Sequence, residues 1–330
     1  MKGSKRMKRK IKWGNVVVLT IGVIIIVASL IFLVSKLADD KKEEHINEKE
    51  KITEKAKPVI TYNDKLIMVL GEKVNLLEGV SAKDEKGETI YVTIEGDYNT
   101  DKIGVYKLKY VATDKNDLTT KEDFTLYVLQ KLDSVSQKSS SPEFFTTSKG
   151  FEGVVINDIT YIDGILVANK TYALPESYNP GKLNTIAYAK AQEMLDDSKK
   201  EGLNIWIQSG FRSYELQTRL YNGYGQRDGY DKADTYSARP GHSEHQSGLA
   251  FDVNEIDYTF DDTPEAKWLS ENCSKYGYIL RYPKGKTDET GYVYESWHFR
   301  YVGEELATKL YNNGEWTTVE DYFGITSKYN

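Results

Sequence analysis

The sequence predicts an α+β domain, with a mixed or antiparallel sheet and flanking helices, preceded by a small all-β sandwich and one transmembrane helix. Three observations carry this expectation. Residues 16–34 are uncharged, and apolar except for Thr20 and Ser29. Between Pro58 and Gln130 apolar residues recur with period two in short runs set off by turn residues. From residue 151 onward helical and strand periodicities are mixed without a strict repeat, which favours α+β over a doubly wound sheet.

The N-terminal region is read from charge and hydropathy. Lys2, Lys5, Arg6, Lys8, Arg9, Lys10 and Lys12 precede the apolar run, and Asp39 and Asp40 follow it. A run of about 19 apolar residues at about 1.5 Å per residue roughly matches a bilayer's hydrocarbon core. The basic flank keeps the N-terminus in the cytoplasm and sends the bulk of the chain outside. A cleaved signal peptide has a shorter core and a small-residue cleavage site, which Ser35-Lys36-Leu37-Ala38 matches poorly. The expectation is therefore a cytoplasmic basic tail at 1–15 and a single-pass cell-membrane anchor at 16–35. A charged stalk follows at 36–57, too polar to bury a core, in which His45 is simply solvated. Although the formal net charge is −6, the basic cluster is confined to the tail, so the remainder is clearly acidic. That argues against a nucleic-acid partner. A single cysteine, Cys273, excludes an intramolecular disulfide framework and a thiolate-rich metal site.

Within 58–130, Tyr106, Leu108 and Tyr110 share one strand face, and Phe124, Leu126 and Val128 share another. The run from Leu70 to Asp84, followed by Gly104-Val105-Tyr106 and Ala112-Thr113-Asp114, resembles bacterial immunoglobulin-like modules. The resemblance implies a spacer or wall-contacting domain without chemistry. Asp84 and Asp114 read as turn formers rather than calcium ligands. Residues 131–150, with Ser139-Ser140-Ser141-Pro142, read as a linker.

In the last domain, 151–330, Ala187, Ala191, Met194 and Leu195 form one helical face. Leu203, Ile205 and Ile207 alternate as a strand leading to Ser209-Gly210-Phe211-Arg212-Ser213, and Ser213 caps a helix carrying Glu215, Gln217 and Arg219. Thr263 and Pro264 start a helix whose inner face holds Ala266, Leu269 and Cys273. Tyr278–Tyr282 and Trp297–Val302 read as aromatic-rich strands.

Three of the four histidines lie here, at 242, 245 and 298. His245, Asp252 and His298 supply two imidazoles and a carboxylate, the mixed set a catalytic zinc takes while keeping a position for water, and Glu295 is left over as a base. A His242–His245 ligand pair remains open on spacing alone. The residues Ser243-x-His245-x-x-Gly248-x-Ala250-x-Asp252, Glu295-x-x-His298 and Ser209-Gly210-Phe211-Arg212-Ser213 resemble the VanY-type zinc D,D-carboxypeptidases and their L,D-carboxypeptidase relatives, the peptidase M15 family. Arg281-Tyr282-Pro283-Lys284-Gly285-Lys286 and Trp297-His298-Phe299-Arg300-Tyr301-Val302-Gly303 extend the likeness.

The resemblance implies His245, Asp252 and His298 as ligands of Zn2+, with Glu295 as the catalytic base and His242 outside the ligand set. It also implies that Gln217 and Ser243 help bind the terminal residue of the substrate. A carboxypeptidase needs a partner for the free carboxylate, and the guanidinium of Arg212 offers a bidentate fork. Arg300 is the structural alternative, while Tyr292 and Tyr294 are expected at the cleft. Because Glu295 and His298 are three apart and would face opposite ways on a regular strand, Glu295 is expected in the loop before it. The expected activity is removal of the C-terminal D-alanine from peptidoglycan stem peptides, of the D-Ala-D-Ala or the L,D type. Two alternatives are a peptidoglycan endopeptidase of the same fold and a non-catalytic, zinc-stabilised wall-binding module.

Overall fold

The computed structural model describes residues 27–42, 56–133 and 141–329. The chain divides into two compact units, Met1–Lys57 and Pro58–Asn330.

In the first unit residues 27–42 form helix α1. Its apolar side chains stand in the open, Leu30 at 54%, Ile31 at 64% and Phe32 at 70% of full exposure. Among the described residues no helix is long and apolar enough to cross a membrane. Residues 16–26 of the expected anchor lie outside the described residues, as do most of the expected stalk and its His45.

The second unit begins with seven strands: β1 (Val59–Thr61), β2 (Lys65–Val69), β3 (Ser81–Lys83), β4 (Thr89–Ile90), β5 (Val92–Glu95), β6 (Gly104–Thr113) and β7 (Thr119–Leu129). They make two small sheets, β1-β3-β4 and β2-β7-β6-β5, the β2–β7 pair being parallel. Period-two alternation is what gives these sheets a common core. Leu108, Tyr110 and Ala112 of β6 are buried beside Phe124, Leu126 and Val128 of β7, and Tyr110 stacks on Phe124 with ring centroids 3.9 Å apart. Tyr106, on the same face, packs on this core at its edge. The aspartates at 84 and 114 close turns by accepting backbone hydrogen bonds, from Lys86 and Glu88 in one case and from Asn116 and Leu118 in the other.

The far end of β7 is buried on both faces, because Tyr127 and Leu129 belong to the larger core shared with the C-terminal elements. β8 (Glu143–Thr146), β9 (Glu152–Ile156), β10 (Ile159–Ile162) and β11 (Ile165–Leu166) form a four-stranded meander against it. Part of the expected linker is thus a strand: the turn signals around Pro142 and Gly150 bracket Phe144 and Phe145, which pack on the core rather than face water. Gly164 (φ +77°) turns β10 into β11, and a Cβ there would overlap the carbonyl oxygen of Val128. Gln130 N–H in turn donates to Gly164 O at 2.7 Å.

The remaining elements carry the site. Antiparallel strands β12 (Ile207–Ser209), β13 (Ala250–Val253), β15 (Glu295–Tyr301) and β14 (Tyr278–Tyr282) make one sheet in that order. It is flanked by α2 (Thr185–Lys200), α3 (Tyr214–Asp228), α4 (Tyr230–Ala233), α5 (Pro264–Asn272), α6 (Thr287–Thr290), α7 (Glu304–Tyr311) and α8 (Val319–Phe323). The cap signals act as they read: Ser213 Oγ accepts from Leu216 N–H and Thr263 Oγ1 from Ala266 N–H. Ala187, Ala191 and Met194 are the buried face of α2, and Cys273 is fully buried after α5.

Two local expectations are corrected. The strand read from Leu203 begins only at Ile207. Asn254, in the left-handed region (φ +47°), ends the regular pairing of β13 and holds the segment through one backbone bond, its N–H to Trp206 O, and through its side chain, which accepts from Trp206 N–H and donates to Asn204 O. Glu295 is not in a loop: it opens β15, opposite Tyr282.

Candidate metal centre and its cleft

Strand pairing assembles the centre. Asp252 on β13 lies opposite Ser209 on one side and His298 on the other. His245 arrives from a 3-10 turn, Glu244–Ser247, which ends at Gly248 in the left-handed conformation (φ +72°). A Cβ at Gly248 would press into Lys182 O at 2.8 Å, so the turn needs glycine to dock where it does. The turn is stitched to the β12–α3 junction, since His245 Nδ1 lies 2.7 Å from Gly210 O and Arg212 N–H donates to His245 O at 3.2 Å.

The two oxygens of Asp252 then divide between the imidazoles. Oδ2 is 3.2 Å from His245 Nε2, and Oδ1 is 3.1 Å from His298 Nδ1. The rings stand almost perpendicular, 4.9 Å apart. All three residues are buried, and their ligand atoms lie within 4.8 Å of one another.

Glu295 Oε2 is 3.8 Å from His298 Nδ1 although the two are three residues apart. The register explains this. Leu280 pairs with Phe299 but Tyr282 with Glu295, so β15 uses four steps where β14 uses two, and the bulge turns both side chains to one side. Arg212 comes from the other direction, its Nη2 3.6 Å from Asp252 Oδ2. Its guanidinium donates to Gln217 Oε1 at 3.0 Å and to Ser209 Oγ at 3.2 Å. Gln217 itself is buried and donates from Nε2 to Ala238 O.

These groups line a cleft of about 430 Å³. Ser243, Tyr282, Tyr292 and Trp297 share its walls, and Tyr294 does not. His242 stands apart from the cluster, with Nδ1 2.8 Å from Asn169 O and its ring edge-on to Tyr329. Residues given no ligand or catalytic part in the sequence reading also converge here, among them Arg300, which was expected to be structural. Glu244, buried, accepts at Oε1 from Arg281 (2.8 Å) and Arg300 (2.9 Å), and Arg281 is bidentate to Glu320. The adjacency of Glu244 to His245 and the arginines inside the strand motifs were their only sequence signal.

The electrostatics follow from burial among charged groups. Burial opposes ionisation of Asp252, but the imidazoles of His245 and His298 outweigh it and hold the carboxyl well below its usual range. Burial lowers His245. For His298 burial pulls the same way, yet hydrogen bonds to Asp252 and Glu244 win and raise it to about 9. Burial, reinforced by Asp252, lifts Glu295 to about 8.

Two imidazoles and a carboxylate converging from three elements, with no thiolate, are the donor chemistry of a zinc site with room for further ligands. The residues fit that metal: Asp252 faces both rings at hydrogen-bond distance, and the donor atoms are clustered.

Known proteins are similar to this chain over the region that holds these residues. Residues 180–304 match the VanY family, described as D-alanyl-D-alanine carboxypeptidase. The putative carboxypeptidase YodJ of Bacillus subtilis (strain 168) is 35% identical over 230 residues, which cover 59% of this chain and 82% of that protein. The LdcB LD-carboxypeptidase structure is 40% identical, covering 57% of this chain and 98% of that one, with a TM-score of 0.47. The vancomycin-resistance D,D-pentapeptidase VanY, solved with Zn(II), is 33% identical, covering 47% of this chain and 96% of that one, with a TM-score of 0.41. Zinc is the cofactor of peptidases of this kind. The extent of the match to the Bacillus relative, together with the family match over the metal centre, means that this chain belongs to the VanY family of carboxypeptidases.

Proposed function

We propose that this protein is a membrane-anchored zinc carboxypeptidase that removes the C-terminal D-alanine from peptidoglycan stem peptides outside the cytoplasmic membrane. One observation carries the reading: a buried His245–Asp252–His298 cluster in a cleft, with the Glu295 carboxylate beside one ligand and the Arg212 guanidinium beside another.

In this reading His245, Asp252 and His298 hold the zinc. When bound, zinc polarises the scissile carbonyl and makes a water molecule acidic enough to attack near neutral pH. Glu295 accepts that water's proton and passes it to the leaving amine. A carboxylate beside the metal ligands can take a proton in the first half of the task and return it in the second. Arg212 takes the substrate's terminal carboxylate, and its donors are aimed by Ser209 and Gln217. Gln217 therefore serves the terminal residue through Arg212, while Ser243, on the cleft wall, meets it directly.

Both D-Ala-D-Ala and L,D-linked ends carry a free terminal carboxylate, so either suits Arg212. The membrane anchor is supported by the apolar run at 16–34 behind its basic cluster, and by the exposed Leu30, Ile31 and Phe32 on α1. The β1–β7 module, of immunoglobulin-like character, serves as a spacer. The test is incubation of the zinc-loaded protein with defined tetra- and pentapeptide stems and identification of products by mass spectrometry. Release of D-alanine is expected; no turnover on any stem would favour a wall-binding module instead.

A further inference from the structure

Four buried charges sit beside the metal centre, with Glu244 at the cleft wall and the other three behind it. Glu244, Arg281, Arg300 and Glu320 are 3%, 1%, 2% and 2% exposed. Arg281 Nε and Arg300 Nη1 both donate to Glu244 Oε1, and the other edge of Arg281 donates to both oxygens of Glu320 at 2.8 and 2.7 Å. Glu320 also accepts from Asn169 Nδ2 at 2.9 Å. Burying two guanidiniums and two carboxylates is costly, and apolar side chains of similar volume often serve stability as well or better. The geometry shows what the network achieves beyond stability. Both guanidiniums converge on one oxygen of Glu244, which leaves Oε2 turned to His298 Nε2 at 3.4 Å.

Imidazole has two nitrogens, and only one of them faces the other ligands. For His298 that nitrogen is Nδ1, 3.1 Å from Asp252. It can bind a metal only if the ring's proton resides on Nε2. We propose that Glu244 is a positioning residue: its Oε2 accepts the Nε2–H of His298 and thereby reserves Nδ1 for the metal, and Arg281 and Arg300 keep it in that orientation. His245 is set the opposite way, because Gly210 O takes its Nδ1–H and leaves Nε2 toward Asp252. The two histidines thus present different nitrogens, each selected by its acceptor on the far side. Such outer partners orient the ring and raise ligand basicity, and their loss commonly weakens metal binding about 10–100-fold. The arginines reach Glu244 from neighbouring strands, and α8 braces Arg281 through Glu320, so that helix contributes to the centre without supplying one of its donors.

The inference rests on zinc ligation by His245, Asp252 and His298, and the experiment separates the two. Zinc affinity of the full chain is measured by competition with a chromophoric chelator for wild type, His298→Ala and Glu244→Gln. In E244Q the carbonyl oxygen keeps the arginines and the amide nitrogen faces His298, where it donates to Nε2 and drives the ring proton onto Nδ1. The expected result is a loss of affinity of about 10–100-fold in E244Q with its circular dichroism unchanged. Affinity of E244Q within twofold of wild type, while H298A loses its zinc, overturns the role of Glu244 and leaves the ligand set intact. Retention of zinc by H298A overturns both. If E244Q fails to fold, nitrogen NMR of the zinc-loaded wild type decides, the chain having only four histidines to assign. A protonated Nε2 and a metal-bound Nδ1 on His298 are expected, and the reverse pattern overturns the proposal.

Discussion

Glu295 and His298 reach the same cleft from one strand, with Glu295 Oε2 3.8 Å from His298 Nδ1. A regular strand would send residues three apart to opposite faces, and the slip in register between β14 and β15 is what reunites them. This relationship places a carboxylate of raised proton affinity next to a candidate metal ligand without making it one of the three clustered donors.

Glu295→Gln is therefore expected to separate chemistry from metal binding. Turnover should fall by about 10²–10⁴-fold. Zinc content, measured by atomic absorption, should stay at the wild-type level, and a variant that still releases D-alanine at the wild-type rate would remove Glu295 from the mechanism.

Arg212 is predicted to act on binding of the substrate's end. Arg212→Lys keeps the charge but loses the fork that Ser209 and Gln217 aim, so kcat/KM should drop by at least tenfold. Amidating the terminal carboxylate of the stem should cost the wild type a comparable factor and the variant much less. Equal cleavage of free and amidated stems by the wild type would point to an endopeptidase.

Stripping the metal should expose a pH dependence of stability. Glu295 and His298 bind protons more tightly when folded, at about 8 and 9, than their ordinary values of 4.5 and 6.5. Their contributions are complete below those ordinary values and vanish as pH rises through 8 and 9. Asp252 and Glu244, depressed in the fold, contribute in the opposite sense and lose their share on acidification. In chelator, thermal denaturation should show a lower melting temperature at pH 9 than at pH 6.5, and E295Q should flatten part of that slope. Because zinc must displace the proton of His298, its affinity should rise over the same interval. A melting temperature that climbs toward pH 9 in chelator would contradict this account.

Leu126 tests the β module. Fully buried in the module's core, it should cost about 2–5 kcal/mol on substitution by alanine. Val128 and Phe124 adjoin it on a strand whose other face enters the second core, so the loss should also reach the catalytic half. Chemical denaturation of L126A followed by tryptophan fluorescence would reveal this, since the five tryptophans lie at 13, 206, 268, 297 and 316 and none lies in the module.

Local residue choice determined much of this protein directly. Ser213 and Thr263 start helices because their side chains accept the first turn's N–H groups. The period-two faces of β6 and β7 became a core because successive side chains on a strand point opposite ways. The types and order of the candidate metal donors are likewise written in the chain. Which donors meet was decided only in three dimensions. Asp252 and His298 are 46 positions apart and become neighbours through the β13–β15 register, whereas His242, three residues from His245, is drawn off to Asn169. The bulge that brings Glu295 round, and the buried arginines that hold Glu244 against His298, likewise depend on pairings between strands distant in sequence. No local periodicity encodes such pairings, because they are settled by the free energy of the whole packed sheet.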